Sequence, residues 1–571
     1  MEMETPTHDA TPAAADARAE GPRSLAGPVL LLVLAFVVFS WGIWKARVGF
    51  GDDSVPLLGA MAAVEAGDYP HNLYFLAYTL VLRFVSPDPV GAALVMRTAV
   101  SLFTTLVLFY VLTAFRPHLH RMAAVAACAV WMASHLNAPL VQYSNLSPFT
   151  FGIAALGLGW LLRRRSWSGF LGFALAIACA ASLRPEYFAP ALLVGGVSGL
   201  GLLWQTAKAR AHTGFFWGGV AASLVLATAV IGPRFRGGGG MDHYLLFGLG
   251  QCYAAFYKTE HPEVPFHAMT EYQELLDETF GHPRSFFGAI ASNPREAFRY
   301  FALNTIHNLK LLPPALLSTR QTQNPTGLLT GRSHALFLFA GLLAGGALLT
   351  RRIFAAVRGP APASWRETVR RVRQEHGALL WQVLLVVLFC SASSAAILML
   401  VPSPRYWISW VPLVFLAVAA CFDSLLRLGF LEKRPWLLWV PALALFCRPV
   451  FLHLGPNENH EVSALRHILP KLPENPVIAG VYTRPYQAYA FRGHAVSVNA
   501  GSDLSAAGLR EGRYDVLIVD EAMRTSRVWS ENRAFFEAFE ADPAPLGYVK
   551  LTEAFTGRRD IYYRQRATSN P

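Results

Sequence analysis

Eleven runs of this chain stay apolar for about the twenty residues that a helix needs to cross a bilayer. They are 26–45, 91–115, 122–141, 147–162, 168–183, 187–204, 214–232, 334–350, 378–401, 407–427 and 435–453. No other feature constrains the fold as strongly. A backbone inside hydrocarbon must satisfy its own polar groups, and a helix does so. Composition agrees: 53% of the 571 residues are hydrophobic and 15% charged, against about 25% charge in soluble domains. That balance excludes a single water-soluble domain, and it excludes a disordered chain, which needs low hydrophobicity and high net charge. The expected fold is an α-helical polytopic membrane protein of about 11 transmembrane helices. The first run reads as a retained span, because its flank Met1–Arg23 is acidic and Ala-rich and no small-residue cleavage site follows before Trp41.

The net charge is +12, which invites a nucleic-acid reading. Its distribution points elsewhere. Arg116 and Arg121, the run Arg163–Arg165, Lys208 and Arg210, the stretch 351–375 with seven Arg against two Glu, and the stretch 427–434 with three basic residues against one Glu all fall in alternate loops. Together these five loops hold +14, more than the whole chain. Cytoplasmic loops concentrate basic residues in this way. The expected orientation is therefore N-terminus inside and C-terminal region outside, with no nucleic-acid partner. Arg outnumbers Lys 42 to 7, and with abundant Ala this fits a GC-rich bacterial genome and a multi-pass protein of the bacterial inner membrane. Five of the six cysteines lie in expected spans; Cys252 lies in an outer loop with no outer partner, so no disulfide is expected.

Three outer segments are long enough to carry function. Loop 46–90 has helical apolar spacing at Val55–Val64 and Leu73–Phe84, too short to span and suited to interfacial helices. Asp53 or Ser54 would cap the first, with Pro56 in its opening turn. Loop 233–333 is aromatic-rich and continues into an amphipathic pattern at Asn293–Leu311. Residues 455–571 alternate short β-like runs (Val477–Tyr482, Ala495–Val498, Tyr514–Val519, Gly547–Leu551, Asp560–Tyr563) with helical patterns at Glu461–Leu472 and Arg527–Glu540, which reads as a small extracytoplasmic α/β domain. The expected organisation is a cytoplasmic tail at 1–25, a transmembrane domain at 26–454 and the soluble domain at 455–571.

Charged groups in such a chain are costly and therefore candidates for function. They gather where helices end outside: Asp52 and Asp53, Arg97, His135, Asn137, Gln142, Tyr143 and Asn145, Arg184 with Glu186 and Tyr187, and Arg405 with Tyr406. A carboxylate of the Asp pair suits a general base on an acceptor hydroxyl; the plainer reading is a helix cap. Arg184 and Arg405 sit in short outer loops, where the charge rule disfavours arginine. They suit the oxygens of a lipid phosphate, and the plainer reading is snorkelling to headgroups. Loop 233–333 carries Asp242, His243, Lys258, Glu260, His261, Glu263, His267 and His282, whose spacing matches no standard metal-ligand pattern. Lys258 and His261 are candidates for substrate contact there. No metal is assigned, although a divalent ion would find donors in that loop. The segment "YDVLIVDE" ends like a nucleotide-binding strand, yet no GxxxxGK[ST] exists and an ordinary strand end suffices. Glycines in "LGLGW" and "GGVSGLG" suit close helix packing. Arg484 and Tyr486 are further candidates for substrate contact.

Taken together, "DDSVPLLGAMAAVEAGDYP", "PSPRYWISWVPLVFLAVAA" and the layout of loops resemble the GT-C superfamily of polytopic membrane glycosyltransferases, particularly relatives of protein O-mannosyltransferases and of the lipid A aminoarabinose transferase. The resemblance implies a GT-C-like fold and a transferase that moves a sugar from a polyprenyl-phosphate-linked donor to a lipid, glycan or protein acceptor on the outer face. It implies that Asp53 or Asp52 is the base, with Asp53 the first choice, and that Arg184 and Arg405 hold the donor phosphate, with Tyr406 and Glu186 beside them. No nucleotide or other cofactor is implied. The chain has Asp-Asp where many relatives have Asp-Glu. The alternative is a transporter or flippase of lipid-linked glycans, which calls for internal repeats and charges at mid-membrane. No repeat is visible.

Overall fold

The structure, a computed structural model, describes residues 26–40, 53–115, 119–134, 136–137, 145–164, 166–209, 240–264, 271–317, 365–391, 404–427, 459–481, 483–499, 504–551 and 559–565, with isolated positions between. Within these it is mostly helical, with one small sheet near the C-terminus. Four helices are long and apolar enough to cross a membrane: Pro89–Phe115, Leu146–Arg164, Pro185–Thr206 and Tyr406–Leu426. Shorter apolar helices occupy Ala26–Val38, Arg121–Met132, Trp167–Leu183 and Gly377–Phe389. The expected spans 214–232, 334–350 and 435–453 lie outside the described residues. Apolar side chains face outward on several helices, including Leu30, Leu34 and Val37 on the first and Leu192, Leu200 and Trp204 on Phe188–Ala209, as hydrocarbon surroundings allow.

Small residues set the closest helix contacts. A Cβ on Gly157 would meet Ala176 at 2.6 Å, and one on Gly159 would meet the Tyr110 ring at 2.6 Å. The Leu146–Arg164 helix therefore lies tightly between Trp167–Leu183 and Pro89–Leu112, the arrangement expected of the "LGLGW" glycines. The core beside it is aromatic: Trp131 packs edge-on against Phe415 and Phe151. Polar side chains tie the helices from within. Asn137 accepts from Thr104 at 2.6 Å and donates to Thr105 at 3.0 Å. Gln382 donates to the carbonyls of Ala114 and Leu162 at 3.0 and 3.3 Å. Asn137, one of the candidates for chemistry, is thus a buried tie between two helices.

The bundle has two distinct ends. At one, Asp423 accepts from the His120 N–H and pairs with Arg427, while Arg163 reaches the Tyr110 carbonyl. At the other, Asp88 and Asn145 precede the helices Pro89–Leu112 and Leu146–Arg164, with Asp53 bonded to Asn145 and Arg184 to Ser147. Two boundaries differ most from expectation: the span expected over 122–141 is a helix only at Arg121–Ala133, with a turn at 136–137. The helix expected from 378 begins at Trp365, because the arginine-rich stretch before it contains no proline after Pro362 and Arg is a good helix former.

The C-terminal strands fall close to where alternation placed them. β1 (Val477–Gly480), β2 (Val496–Asn499), β3 (Val516–Asp520), β4 (Tyr548–Lys550) and β5 (Arg559–Arg564) form one sheet of order β2-β1-β3-β5-β4. β1 pairs parallel with β2 and β3, and β5 pairs antiparallel with β3 and β4. β3 is buried along its whole length, as the central strand of a covered sheet must be. The helix pattern at 527–540 resolves into Arg527–Glu531 and Arg533–Ala541, broken at Asn532. One hydrophobic core joins this domain to the helices Ser54–Ala66 and Leu73–Phe84, bringing Tyr486, Tyr489 and Phe491 against Leu57, Tyr74 and Tyr78.

Candidate functional site

The acidic loop leads into the Ser54–Ala66 helix, which ends at Gly67 in the left-handed conformation with φ 76°. Only glycine enters that conformation at little cost. Arg83, from the following Leu73–Phe84 helix, donates to the carbonyls of Ala63 and Asp68 and lies 4.3 Å over the Tyr69 ring. The "GDYP" segment thus turns the chain between two short helices and locks the turn with one arginine.

Asp53 occupies the cap position of Ser54–Ala66, yet its side chain makes no capping bond there. The capping reading is corrected by this geometry. The carboxylate, 1% exposed, turns away from its own helix. It accepts from the Tyr74 hydroxyl at 2.6 Å and from the Asn145 backbone N–H through both oxygens at 3.1 Å. Asn145 directly precedes the Leu146–Arg164 helix, so the acid stands at the positive end of that helix dipole. Its side-chain amide donates to Tyr78 at 3.1 Å. Arg97, buried in the Pro89–Leu112 helix, is near enough to Asp53, Tyr489, Tyr78 and Tyr74 to feel their charges. Burial pushes the phenols of Tyr74 and Tyr78 well up, and the Asp53 charge pushes them further. Both therefore stay protonated and available as donors. Asp52 lies outside the described residues.

Arg184 ends the Trp167–Leu183 helix. It pairs with Glu186 at 2.5 Å, donates to the Ser147 hydroxyl, and lies 5.9 Å over the Tyr406 ring. Arg184, Glu186 and Tyr406 come together as the sequence led us to expect. Arg405 sits in the turn Pro404–Trp410, and its side chain lies outside the described residues. Trp407 in the same turn donates to the Asn308 carbonyl at 3.0 Å, which ties the long Pro294–Leu317 helix to this end of the bundle.

Lys258 and His261 belong to a separate aromatic-cored unit of the helices Gly240–Glu260, Tyr272–Phe280, Phe286–Ser292 and Pro294–Leu317. Burial lowers the Lys258 pKa against the opposing pull of Glu271. His261 stacks on Tyr257 at 4.3 Å and approaches Glu263 at 3.5 Å. These contacts lie within the middle unit. Among the described residues no three His, Cys, Asp or Glu side chains gather closely enough to hold a metal; His267 lies outside them. Tyr486 is buried, its hydroxyl donating to Glu461 at 2.6 Å with Arg559 alongside, which corrects the expectation that it reaches substrate. Arg484 beside it is exposed. Asp520, at the end of "YDVLIVDE", caps a short helix through the Met523 N–H at 2.8 Å, so the strand end is structural.

The fold and the site define a helical, multi-span protein whose acidic loop and one arginine converge on the start of a single helix. No family model matches the chain. No curated protein matches it. Among solved structures it is similar to ArnT from Cupriavidus metallidurans bound to undecaprenyl phosphate, with 12% identity and a TM-score of 0.49 over 95% of this chain and 99% of that one. It is also similar to the same protein in the apo state, with 13% identity and a TM-score of 0.37 over 94% and 98% of the two chains.

Proposed function

We propose that this chain is a membrane glycosyltransferase that takes a sugar from a polyprenyl-phosphate-linked donor and passes it to a hydroxyl of a lipid, glycan or protein at the outer face of a bacterial inner membrane. One observation carries the reading. Asp53 binds the backbone of Asn145 and Arg184 binds the side chain of Ser147, so an acid and a guanidinium are each held at the start of one helix, on residues two positions apart.

The chemistry follows from that placement. The acceptor oxygen attacks the anomeric carbon, the bond from that carbon to the phosphate oxygen breaks, and the phosphate leaves with the electron pair. Arg184 is placed to receive the developing charge, assisted by the N-terminus of the Leu146–Arg164 helix. The acceptor proton passes to a carboxylate. Both Asp53 oxygens are already engaged by Tyr74 and Asn145 in a buried pocket. We therefore give the proton to Asp52 and the task of holding the loop to Asp53. In this reading Tyr406 and Glu186 orient Arg184, while Arg405 adds a second positive charge from the same turn.

The test is transfer of radiolabelled sugar from an undecaprenyl-phosphate-linked donor in proteoliposomes of the full-length chain. Incorporation into a membrane acceptor supports the reading. If no sugar moves from any donor in a panel of hexose- and pentose-linked lipids, the reading fails. A flippase would instead carry labelled glycolipid across the vesicle wall without forming a glycosidic bond.

A further inference from the structure

Resting on the transferase reading, we propose that the C-terminal domain completes the site: Tyr489, held in place by Arg466, is a positioning residue for the buried Asp53–Arg97 pair and so for the loop that carries Asp52. The Arg484–Tyr489 helix packs directly on Ser54–Ala66, the helix that Asp53 precedes. Tyr489 is fully buried within the shared core that contains Tyr74, Tyr78 and Leu57. Burial and the nearby Asp53 carboxylate push its phenol pKa up, while the Arg97 guanidinium pulls the other way.

The backbone of the same residue is clamped. Arg466, on the His460–Ile468 helix, donates to the Tyr489 carbonyl from Nε at 3.1 Å and from Nη2 at 2.7 Å. The same Nη2 forms an ion pair with Asp88 at 2.7 Å. Asp88 in turn caps the Pro89–Leu112 helix by accepting from the Gly91 N–H at 3.1 Å. That helix carries Arg97. Arg466 of the C-terminal domain therefore grips that helix at its cap and holds Tyr489 with the same guanidinium. A domain that merely covered the membrane part would not need to place a buried phenol there. Asn459 adds a second tether by accepting from the Val48 N–H at 3.0 Å.

The experiment uses the full-length chain in detergent. Tyr489→Phe, Tyr489→Ala and Arg466→Gln are compared with Arg513→Gln, a surface control whose side chain pairs with Glu511. Amide hydrogen exchange over residues 54–66 and 145–150 is measured beside transfer kinetics from the undecaprenyl-phosphate-linked donor. Tyr489→Ala and Arg466→Gln should speed exchange over 145–150 by about tenfold, and the control should not. Tyr489→Phe should keep native exchange, lower kcat by about tenfold and leave KM within about twofold, because a misplaced reacting group is felt in the transition state. Exchange in Tyr489→Ala and Arg466→Gln equal to the control would overturn the proposal. So would native kcat in Tyr489→Phe alongside an inactive Asp52→Asn chain, a result that would leave the transferase reading intact. If the native chain transfers no sugar but both variants still speed exchange, the positioning role stands and the transferase reading falls.

Discussion

The Asn145 backbone N–H donates to both carboxylate oxygens of Asp53, each at 3.1 Å. Ninety-two positions separate the two residues, and the bond fixes the acidic loop to the start of the Leu146–Arg164 helix. A carboxylate used in this way is a structural anion. Its charge acts on the buried Arg97 guanidinium nearby and meets the positive end of the helix dipole.

Asp53→Asn should therefore destabilise the protein strongly. The amide leaves Arg97 near a neutral group in a buried pocket, and removal of one member of a buried charged pair costs about 3–5 kcal/mol. Thermal unfolding in detergent should show a large drop in Tm. A Tm within a degree of native would mean that Asp53 carries no such burden.

Tyr74→Phe removes the hydroxyl that donates to Asp53 and also meets the Tyr78 hydroxyl. The ring keeps its edge-on contact with Tyr78 and its tilted contact with Phe149, at 5.3 Å each. A hydrogen bond to a charged group contributes about 1.5–3 kcal/mol. Denaturant unfolding should report a loss in that range, smaller than that of Asp53→Asn.

Much of this architecture was legible before any coordinates, and the parts that were not have physical reasons. The five strands announced themselves as short runs rich in β-branched and aromatic residues, of which Val516–Asp520, apolar up to its last residue and buried on both faces, is the clearest. Arg184 stands out in the sequence as an arginine in a loop expected to lie outside, where the charge rule disfavours it, but its approach to Tyr406 is a product of the fold. The partners of Asp53 are not legible in the sequence: its position before Ser54–Ala66 is that of a cap, and only the fold reveals that its side chain serves another helix. Tyr74 and Tyr78 carried a signal that went unused, a pair of phenols four residues apart on one face of an amphipathic helix. Tyr489 carried none, for it meets Asp53 only through the docking of a domain more than four hundred residues away.

Gly157→Ala tests the helix packing independently of the site. The added carbon would stand 2.6 Å from Ala176 and 3.2 Å from the Phe173 Cα, so the Leu146–Arg164 and Trp167–Leu183 helices must part. Overpacking of this kind costs about 1–3 kcal/mol. Thermal unfolding in detergent should register the loss, whereas Gly196→Ala, which meets nothing within 4 Å, should not.

Arg184→Lys separates charge from shape. Lysine keeps the positive charge and loses the planar fork that holds Glu186 and Ser147 together. In the transfer assay the KM for the lipid-linked donor should rise by about tenfold, equivalent to about 1.4 kcal/mol. An unchanged KM would remove Arg184 from the donor site.

The central claim is that the acidic pair divides its labour, with Asp52 taking the proton and Asp53 holding the loop. The most direct measurement sets Asp52→Asn and Asp53→Asn side by side, following sugar transfer and thermal unfolding on the same preparations. The account predicts that Asp52→Asn abolishes transfer at a native Tm, while Asp53→Asn lowers the Tm first and activity with it. Full transfer activity in both single variants would contradict it.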